Sequence, residues 1–252
     1  MTLAALLTET AQLLWPARCA GCDDYVPDQL LFCTSCAPSV TALWGSCVGC
    51  ALPMGEIDPV GGRCRVCRRV PFAFAEADVA CEYGAALADA IVTMKHGRRR
   101  DLAWRLARLL VDPFARALTR GDLGPGDAVI PVPLHPRKLR RRGFNQALEL
   151  ARATLGLLAR RASGVARAGP ALERTLLRRV RDTRELGHLG PAARLCEVAG
   201  AFAVGDAACV RGRRVLLVDD VFTTGATLNE CATVLRTAGA REVRVVALAR
   251  AV

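Results

Sequence analysis

The sequence is poor in aromatic residues and histidines, and it has no long apolar run. Aromatic side chains make up 5% of the 252 residues, and only three histidines are present. The histidines, His96, His135 and His188, have no mutual spacing typical of a metal site, so we expect loop or helix-capping residues. No apolar stretch reaches the roughly 18 residues needed to span a bilayer, which argues against a membrane span.

The first 16 residues also lack an early Lys or Arg, so the basic segment that opens a signal peptide is missing. Their Leu and Ala spacing predicts a short helix that ends near Pro16. These absences favour a cytoplasmic protein.

Acidic residues are fewer than basic ones. The chain has 35 Lys and Arg residues against 24 Asp and Glu residues, which gives a formal charge of +11. A basic balance favours polyanionic partners such as nucleic acid or phosphorylated metabolites. Arg-rich and Ala-rich composition also follows from genome base composition, so charge alone leaves both interpretations open. Hydrophobic residues form 52% of the chain, enough for a sizeable core in one or two domains.

Cysteine, in contrast, is abundant, with twelve residues. Eight of them form four C-x-x-C pairs: Cys19/Cys22, Cys33/Cys36, Cys47/Cys50 and Cys64/Cys67. A C-x-x-C turn directs two thiolates at one ion, and two such turns complete a tetrahedral Zn²⁺ site. A redox function needs one such pair rather than four. The pattern therefore predicts two structural zinc sites, as in a double zinc ribbon, rather than disulfides.

The spacing does not decide how these turns pair. Sequential pairing places the first four cysteines at one ion and the last four at the other, and an interleaved pairing is also compatible with the spacing. Four thiolates per ion leave no open coordination position, so we expect the sites to stabilise the fold rather than to catalyse. The other cysteines are expected to be small buried hydrophobic residues: Cys81, Cys196, Cys209 and Cys231.

Residues 215–227, with the sequence VLLVDDVFTTGAT, form the most informative segment. Four apolar residues before Asp219 predict a buried parallel strand, and residues 228–235 have the apolar spacing of a helix. Ligands of open α/β sheets bind at the carboxyl ends of strands, where the intervening loop would lie. The order of parts predicts a site for a sugar with a 5′-phosphate. The alternative is a strand followed by Thr and Asp residues that only cap a helix.

The loop has suitable chemistry for such a ligand. Gly225 permits a tight turn and a close approach of the backbone, and free N–H groups at the start of the next helix favour an anion. The carboxylates of Asp219 and Asp220 accept hydrogen bonds from sugar hydroxyls, directly or through Mg²⁺. Three residues supply hydroxyl donors: Thr223, Thr224 and Thr227.

A basic segment follows a second predicted strand. Residues 128–133, AVIPVP, predict an apolar strand ended by proline, and residues 137–142, RKLRRR, have five cations in six positions. Cations dense in a loop beyond a strand end suit a pyrophosphate or a nucleic-acid backbone. Arg137, Lys138 and Arg140 are the candidates for these contacts. A solvated basic face is the alternative.

The segment 215–227 resembles the phosphoribosyl pyrophosphate (PRPP) signature of type I phosphoribosyltransferases. The resemblance implies an α/β fold with a parallel sheet flanked by helices. It makes Asp219 and Asp220 the candidate catalytic pair, which would hold the ribose 2′- and 3′-hydroxyls of PRPP. It also implies Mg²⁺ bound with PRPP and a nitrogenous acceptor. The residues expected to surround the 5′-phosphate are Thr223, Thr224, Gly225, Ala226 and Thr227.

A second resemblance covers nearly the whole chain. The sequence Arg-Gly-Phe-Asn-Gln at 142–146 and the stretch Lys-His-Gly-Arg at 95–98 resemble the ComF family of competence-associated phosphoribosyltransferase-like proteins. That family has an N-terminal cysteine-rich zinc module before the transferase domain. The resemblance implies an N-terminal helix and double zinc ribbon over residues 1–70 and a phosphoribosyltransferase domain over residues 71–252.

One segment departs from the family pattern, which often has Arg-x-Thr-x-x-Gln-x-x-Leu followed by Arg and Asn. Leu186 stands in the place of Gln, and Glu197 stands in the place of Asn. The segment is expected to form a loop over the site, so the departure concerns turnover. The positions that fit are Arg181, Thr183, Leu189 and Arg194.

Two functions from different classes follow. The first is a PRPP-binding protein that transfers or senses phosphoribosyl groups, with a link to DNA uptake or repair. The second is a non-catalytic adaptor of DNA uptake that binds single-stranded DNA, has competence-machinery partners and keeps the PRPP fold.

Overall fold

Strands and helices follow one another along the chain from Ala77 onward. A computed structural model describes residues 17–27, 30–54, 62–161, 169–183 and 191–251. The expected helix before Pro16 and the positions Leu186, His188 and Leu189 lie outside these residues. The helices are α1 (Arg65–Arg69), α2 (Ala85–His96), α3 (Arg100–Arg120), α4 (Pro136–Arg142), α5 (Gln146–Arg161), α6 (Pro191–Val198) and α7 (Ala226–Thr237). The strands are β1 (Ala77–Glu82), β2 (Ala128–Pro131), β3 (Ala171–Leu172), β4 (Leu177–Arg179), β5 (Phe202–Val204), β6 (Arg214–Phe222) and β7 (Glu242–Arg250).

The main sheet is parallel in every pairing among the described strands, with the order β1-β7-β6-β2-β3. Its central strands β6 and β7 each contain a continuous apolar run, residues 215–218 and 245–249, because helices cover both faces. In β6, Val215 through Val218 are buried almost completely. A separate antiparallel pair, β4 and β5, lies beside the sheet. The predicted α/β class with a parallel sheet flanked by helices is confirmed.

The two faces of the sheet have separate hydrophobic cores. One core joins Leu216 and Val218 of β6 to the apolar sides of α2, α3 and α5. The other joins Val215 and Leu217 to α7 and to the β4–β5 pair. This division follows from the alternation of side chains along a strand.

The cysteine-rich segment lies along the β1 edge of the sheet. Ala42 forms an antiparallel bridge with Cys81, and the Leu43 N–H donates to the Ala80 carbonyl at 2.9 Å. Covering an edge strand in this way hides its unpaired backbone groups. Because the bridging segment separates the second and third C-x-x-C pairs, Cys19 packs in the first core, whereas Cys47 packs in the second.

Some sequence-based expectations are corrected by the structure. The basic segment expected as a loop is mostly the short helix α4, since His135 caps its start, Pro136 is its first residue and Gly143 ends it in the left-handed conformation. Cys196 and Cys209 are exposed rather than buried, while Cys81 and Cys231 are buried as expected. Within the described part of the chain, no helix is long and apolar enough to cross a bilayer.

Candidate functional site

The acidic pair lies near the carboxyl end of β6, in the middle of the sheet. Asp219 is 9% exposed and Asp220 is 4% exposed. The neighbouring strand β2 reaches the same level, because the Val132 N–H donates to the Val218 carbonyl at 2.9 Å. The strand predicted to end at the pair continues to Phe222 and places the carboxylates toward opposite faces of the sheet.

Lys95, at the end of α2, pairs with one of the two carboxylates. Its Nζ lies 2.6 Å from Asp220 Oδ2, and its side chain is 21% exposed. Lys95 and Lys138 are the only lysines in the sequence, and the other residues among the 35 Lys and Arg are all arginines. The sequence resemblance included Lys95 without a role, and its place beside Asp220 depends on how α2 packs on the sheet.

The two carboxylates differ in acidity. Burial and the charge of Asp220 hold the pKa of Asp219 well above its usual value. Burial also acts to raise the pKa of Asp220, but the Lys95 ammonium, aided by a hydrogen bond and by Arg142, outweighs it and lowers this pKa. The pair therefore holds one charged carboxylate and one that binds a proton more readily.

The loop after β6 differs from an ordinary helix cap. Gly225 is the N-cap of α7 with φ of 81°, and no side chain caps the helix there. A Cβ on Gly225 would lie 2.7 Å from Phe222 Cε2 and 2.9 Å from Phe72 Cε1, so the position requires glycine. The Ala226 N–H donates to Thr224 Oγ1 at 3.4 Å, a long hydrogen bond at the helix start. Asp219 and Asp220 accept from the N–H groups of Asp220 and Val221 instead, so helix capping does not account for the acidic pair.

Residues 223–227, here called the TTGAT loop, offer open hydrogen-bond donors. The N–H groups of Thr223, Thr224 and Gly225 have no acceptor among the described residues. Thr223, Thr224 and Thr227 are partly buried, and Ala226 is buried at the first turn of α7. Several backbone donors at a helix start form a concavity that favours an anion.

Only part of the basic segment approaches the acidic pair. Arg137 is 76% exposed and lies 3.9 Å from Asp182, and Arg140 is exposed. Lys138 donates to the Thr183 carbonyl at 3.0 Å. Arg142 is the cation of this helix that lowers the pKa of Asp220, and it donates to Gln146 Oε1 at 2.7 Å. The structure thus favours Arg142, which the sequence reasoning did not single out.

The Gly-Phe-Asn-Gln residues after α4 have structural contacts. Phe144 is buried in the first core. Asn145 caps α5 through its side-chain oxygen, which accepts from the Ala147 N–H at 2.9 Å, and its Nδ2 donates to the Val132 carbonyl at 3.0 Å. Asn145 therefore fixes α5 to the end of β2.

Arg179, at the end of β4, is a second cation near the pair that sequence reasoning did not identify. Burial lowers its pKa, while the charges of Cys231 and Asp219 oppose this effect. Its Nε is buried and has no hydrogen-bond partner among the described residues. A spacing pattern does not predict this charge interaction, because it depends on how the β4–β5 pair packs beside the sheet.

A cleft of about 560 Å³ lies between α4, α5 and the β4 segment. Its walls combine apolar and basic side chains, including Leu139, Leu148, Val180, Arg174, Arg178 and Arg179. Glu149, which also lines the cleft, accepts from Arg100 at 2.8 Å and from Trp104 Nε1 at 3.2 Å. The cleft is therefore lined by both basic and apolar side chains.

The eight paired cysteines form two groups in sequential order. The first tetrad is Cys19, Cys22, Cys33 and Cys36, and the second tetrad is Cys47, Cys50, Cys64 and Cys67. In each, the Sγ atoms all lie within 4.8 Å of one another, and no cysteine forms a disulfide among the described residues.

Both tetrads fit a tetrahedral ion. Cys22 and Cys33 Sγ are 3.7 Å apart, and Cys50 and Cys64 Sγ are 3.8 Å apart. Bonds of roughly 2.3 Å from zinc to sulfur give an S–S edge of about 3.8 Å in a tetrahedron. The Cys64 N–H donates to Cys47 Sγ at 3.1 Å, as expected beside a thiolate. Both groups could bind zinc.

Comparison with known proteins gives the same assignment. The phosphoribosyl transferase domain family matches residues 191–251. DNA utilization protein YhgH of Salmonella typhi is 32% identical over 218 residues, which cover 86% of this chain and 89% of that protein. The protein of the same name from Escherichia coli K12 is 29% identical with the same coverage. Competence protein F of Haemophilus influenzae is 37% identical over 147 residues, which cover 58% of this chain and 60% of that protein.

The chain belongs to the ComF family. The resemblance found in the sequence is thereby confirmed for the family, for the phosphoribosyltransferase-like domain and for the cysteine-rich module. In this ComF family member the TTGAT loop, Lys95 and the acidic pair meet at the carboxyl end of β6.

Proposed function

We propose that this ComF family protein binds PRPP with Mg²⁺ and transfers or senses its phosphoribosyl group. The observation that supports this most strongly is the juxtaposition of open N–H groups in the TTGAT loop with the buried pair Asp219 and Asp220. The loop donors suit a 5′-phosphate, and the carboxylates suit the ribose hydroxyls.

The residues present fit a ribose and its accompanying cation. Lys95 Nζ lies 2.6 Å from Asp220 Oδ2 and favours the charged form of this carboxyl, which suits it to accept from a ribose hydroxyl or to bind a cation. Asp219 and Asp220 are oxygen donors of the type that Mg²⁺ prefers. When bound, Mg²⁺ would be held by Asp219 and Asp220 and would supply positive charge to offset the departing pyrophosphate.

In the transfer reaction, a nitrogen nucleophile would form a bond to C1 of the ribose while the bond from C1 to pyrophosphate oxygen breaks. The nitrogen loses its proton to solvent or to a carboxylate, and pyrophosphate takes the bonding electrons. Asp219 and Asp220 would position the ribose, and Arg142 would offset charge on the departing group, with Arg137, Lys138 and Arg140 as further candidates. No covalent intermediate with the protein is needed.

We place the acceptor in the cleft beside β4. Three arginines line this cleft, Arg174, Arg178 and Arg179, and they favour an acceptor with an acidic group, since Glu149 already pairs with Arg100. Nicotinic acid and nicotinamide differ only in this group. Faster pyrophosphate release from PRPP with nicotinic acid would support an acid-selective cleft, and equal rates would reject the selectivity.

The decisive test of the proposed function is calorimetric titration of the metal-loaded protein with Mg-PRPP. We expect saturable binding that is lost in the Asp219→Asn/Asp220→Asn double variant. The matched control is Asp112→Asn, an exposed carboxylate on α3 that pairs with Arg161. Equal affinity in the double variant and the wild type would reject the assignment.

A second candidate function is binding of single-stranded DNA, which agrees with the names of the relatives. It is favoured by another cleft of about 640 Å³, lined by Arg63, Arg68, Arg236, Arg241 and the partly buried Phe72. Arginines can contact a phosphate backbone, and an aromatic ring can stack on a base. This reading places a DNA-uptake function on a surface different from the acidic pair.

A salt titration with a fluorescent oligonucleotide tests the second candidate. We expect affinity to fall steeply with salt, and the slope to become shallower in an Arg68→Gln/Arg241→Gln variant. An Arg160→Gln/Arg161→Gln variant at the exposed end of α5, outside this cleft and with the same loss of charge, controls for net charge. DNA binding without Mg-PRPP binding would favour the adaptor over the transferase.

A further inference from the structure

The second tetrad and the TTGAT loop are joined by one buried side chain, Arg250. This residue is the last of β7, it is 8% exposed, and its backbone lies opposite Phe222 of β6. Its Nε donates to the carbonyl of Cys50, a member of the second tetrad, at 2.7 Å. Its Nη1 donates to the carbonyls of Phe222 at 3.1 Å and Thr223 at 2.5 Å. The guanidinium also lies over the Phe222 ring at 4.8 Å.

These contacts determine where the loop donors point. In a planar trans peptide the C=O and the next N–H point in opposite directions. Because Arg250 holds the Phe222 and Thr223 carbonyls on its own side, the N–H groups of Thr223 and Thr224 are directed away from it. These are two of the N–H groups without an acceptor among the described residues.

The Cys50 carbonyl has a fixed position only if the turn around it is fixed. The Ala51 N–H closes this turn on the Cys47 carbonyl at 2.7 Å, and Ala51 has a φ of 53°. A non-glycine residue in this region is strained and persists where its surroundings hold it. An ion bound by Cys47 and Cys50 would hold both ends of the turn.

A second contact leads from the same tetrad to the loop. Phe72 follows the helix that contains Cys67, stacks on Phe74 at 4.7 Å and meets Phe222 edge-on at 6.0 Å. Its ring also occupies the space where a side chain on Gly225 would lie. The first tetrad has no comparable contact with the loop among the described residues.

From these observations we infer that Arg250 is a positioning residue that couples metal occupancy of the second tetrad to the donor geometry of the TTGAT loop. Loss of this metal by chelation releases the Cys50 turn, Arg250 and the loop together. The inference rests on the proposed function, since it assigns a control to the PRPP site.

The test compares Arg250→Met with Arg105→Met in the full chain. Arg105 is a matched control, because it also donates to backbone carbonyls beside a tetrad: Arg18 at 2.5 Å and Leu30 at 3.2 Å, near the first tetrad. We expect both variants to retain two metal equivalents. Only Arg250→Met should raise hydrogen exchange of the 223–227 amides and weaken Mg-PRPP by about tenfold or more. Arg250→Lys should restore part of the affinity.

A metal-loss comparison completes the test. Cys64→Ser should lose one metal equivalent and raise exchange in the loop, while Cys33→Ser should lose one equivalent and leave loop exchange unchanged. Equal loop exchange in Arg250→Met and wild type would overturn the inference, even if Cys64→Ser fails to fold. A wild-type protein that does not bind Mg-PRPP would instead overturn the proposed function, and the exchange comparison would still decide the role of Arg250.

Discussion

The two cysteine tetrads share spacing, ligand type and geometry, but they lie in different surroundings. The first tetrad packs on α2 and α3. In its segment, the Arg18 carbonyl accepts a hydrogen bond from Arg105, and Asp23 pairs with Arg99. The second tetrad packs in the core of α7 and is bonded to Arg250. Two sites of equal chemistry therefore have unequal access to the TTGAT loop.

The difference teaches that coordination chemistry alone does not assign a role to a zinc ribbon. The first tetrad packs on α2, whose end carries Lys95. The second reaches the loop through Arg250 and through Phe72, which follows the helix that contains Cys67. Exposure also differs, since Cys22 of the first tetrad is exposed while three of four members of the second are buried.

The largest expected effect is in stepwise chelation. Because Cys22 is exposed, a chelator should remove the metal of the first tetrad before that of the second, whose thiolates are mostly buried. We expect the first equivalent to leave with little change in Mg-PRPP affinity and the second to reduce it about a hundredfold, as the loop is released. A metal-binding indicator follows the release of each equivalent, and calorimetry measures the Mg-PRPP affinity after each release. If the Mg-PRPP affinity falls when the first equivalent leaves, the first tetrad rather than the second controls the loop.

Lys95→Met should have the next largest effect, because it tests the route through α2. It leaves the buried Asp220 carboxylate without its ion-pair partner, which costs about 3–5 kcal/mol of unfolding free energy. Adding Asp220→Asn should recover much of this loss, as thermal unfolding of both variants would measure. If Lys95→Met unfolds like the wild type, Lys95 has no part in holding the pair.

Gly225→Ala tests the Phe72 contact with the loop. Gly143→Ala is its control, because both glycines have a similar positive φ, 81° and 86°, but only Gly225 has neighbours within 4 Å of an added Cβ. We expect about 1 kcal/mol of destabilisation in the control from backbone strain and a further loss in Gly225→Ala from the clash with Phe72 and Phe222. Equal unfolding free energies of Gly225→Ala and Gly143→Ala would show that Phe72 moves away from the added methyl group without a loss of stability.

Asp219→Asn should have the smallest effect on folding, and its sign is opposite to that of Asp220→Asn. The pKa of Asp219 is higher in the folded protein than in the unfolded chain. As the pH rises above the unfolded pKa of about 3.9, ionisation of this buried carboxyl therefore lowers the free energy of unfolding. Asp219→Asn should therefore stabilise the protein at neutral pH, and the gain should vanish below about pH 4.

The pKa of Asp220 is lowered, so its stabilising contribution is present above the unfolded value and is lost as pH falls through the folded value. Asp220→Asn should consequently destabilise at neutral pH, where Lys95 loses its partner. Urea unfolding at several pH values measures both differences. Parallel pH profiles for the two variants would contradict the asymmetry.

Local patterns were sufficient for several features of this protein. The four C-x-x-C pairs predicted two groups of thiolates, because two such turns complete one tetrahedral site. The apolar run before Asp219 predicted a buried strand, and Gly225 predicted a tight turn. The proposed domain boundary between residues 70 and 71 stays a prediction.

Other features were not accessible from spacing. Residues 137–142 were expected in a loop, since a run of cations does not reveal that His135, Pro136 and Gly143 together delimit a helix. Lys95 forms an ion pair with Asp220, and Arg179 interacts electrostatically with Asp219, although both pairs are far apart in the sequence. No period or motif encodes such contacts, because they depend on which helix or strand packs on which face.

The sequence by itself therefore determined the strand, the loop, the thiolate pairs and the family, since each is written in neighbouring residues. Tertiary structure decided the sequential grouping of the cysteines, the separation of the two tetrads onto opposite faces and the contact of Arg250 with Cys50 and Thr223. The physical reason is the parallel sheet, which brings Arg250 beside Phe222 and leaves the β1 edge for the cysteine-rich segment to cover.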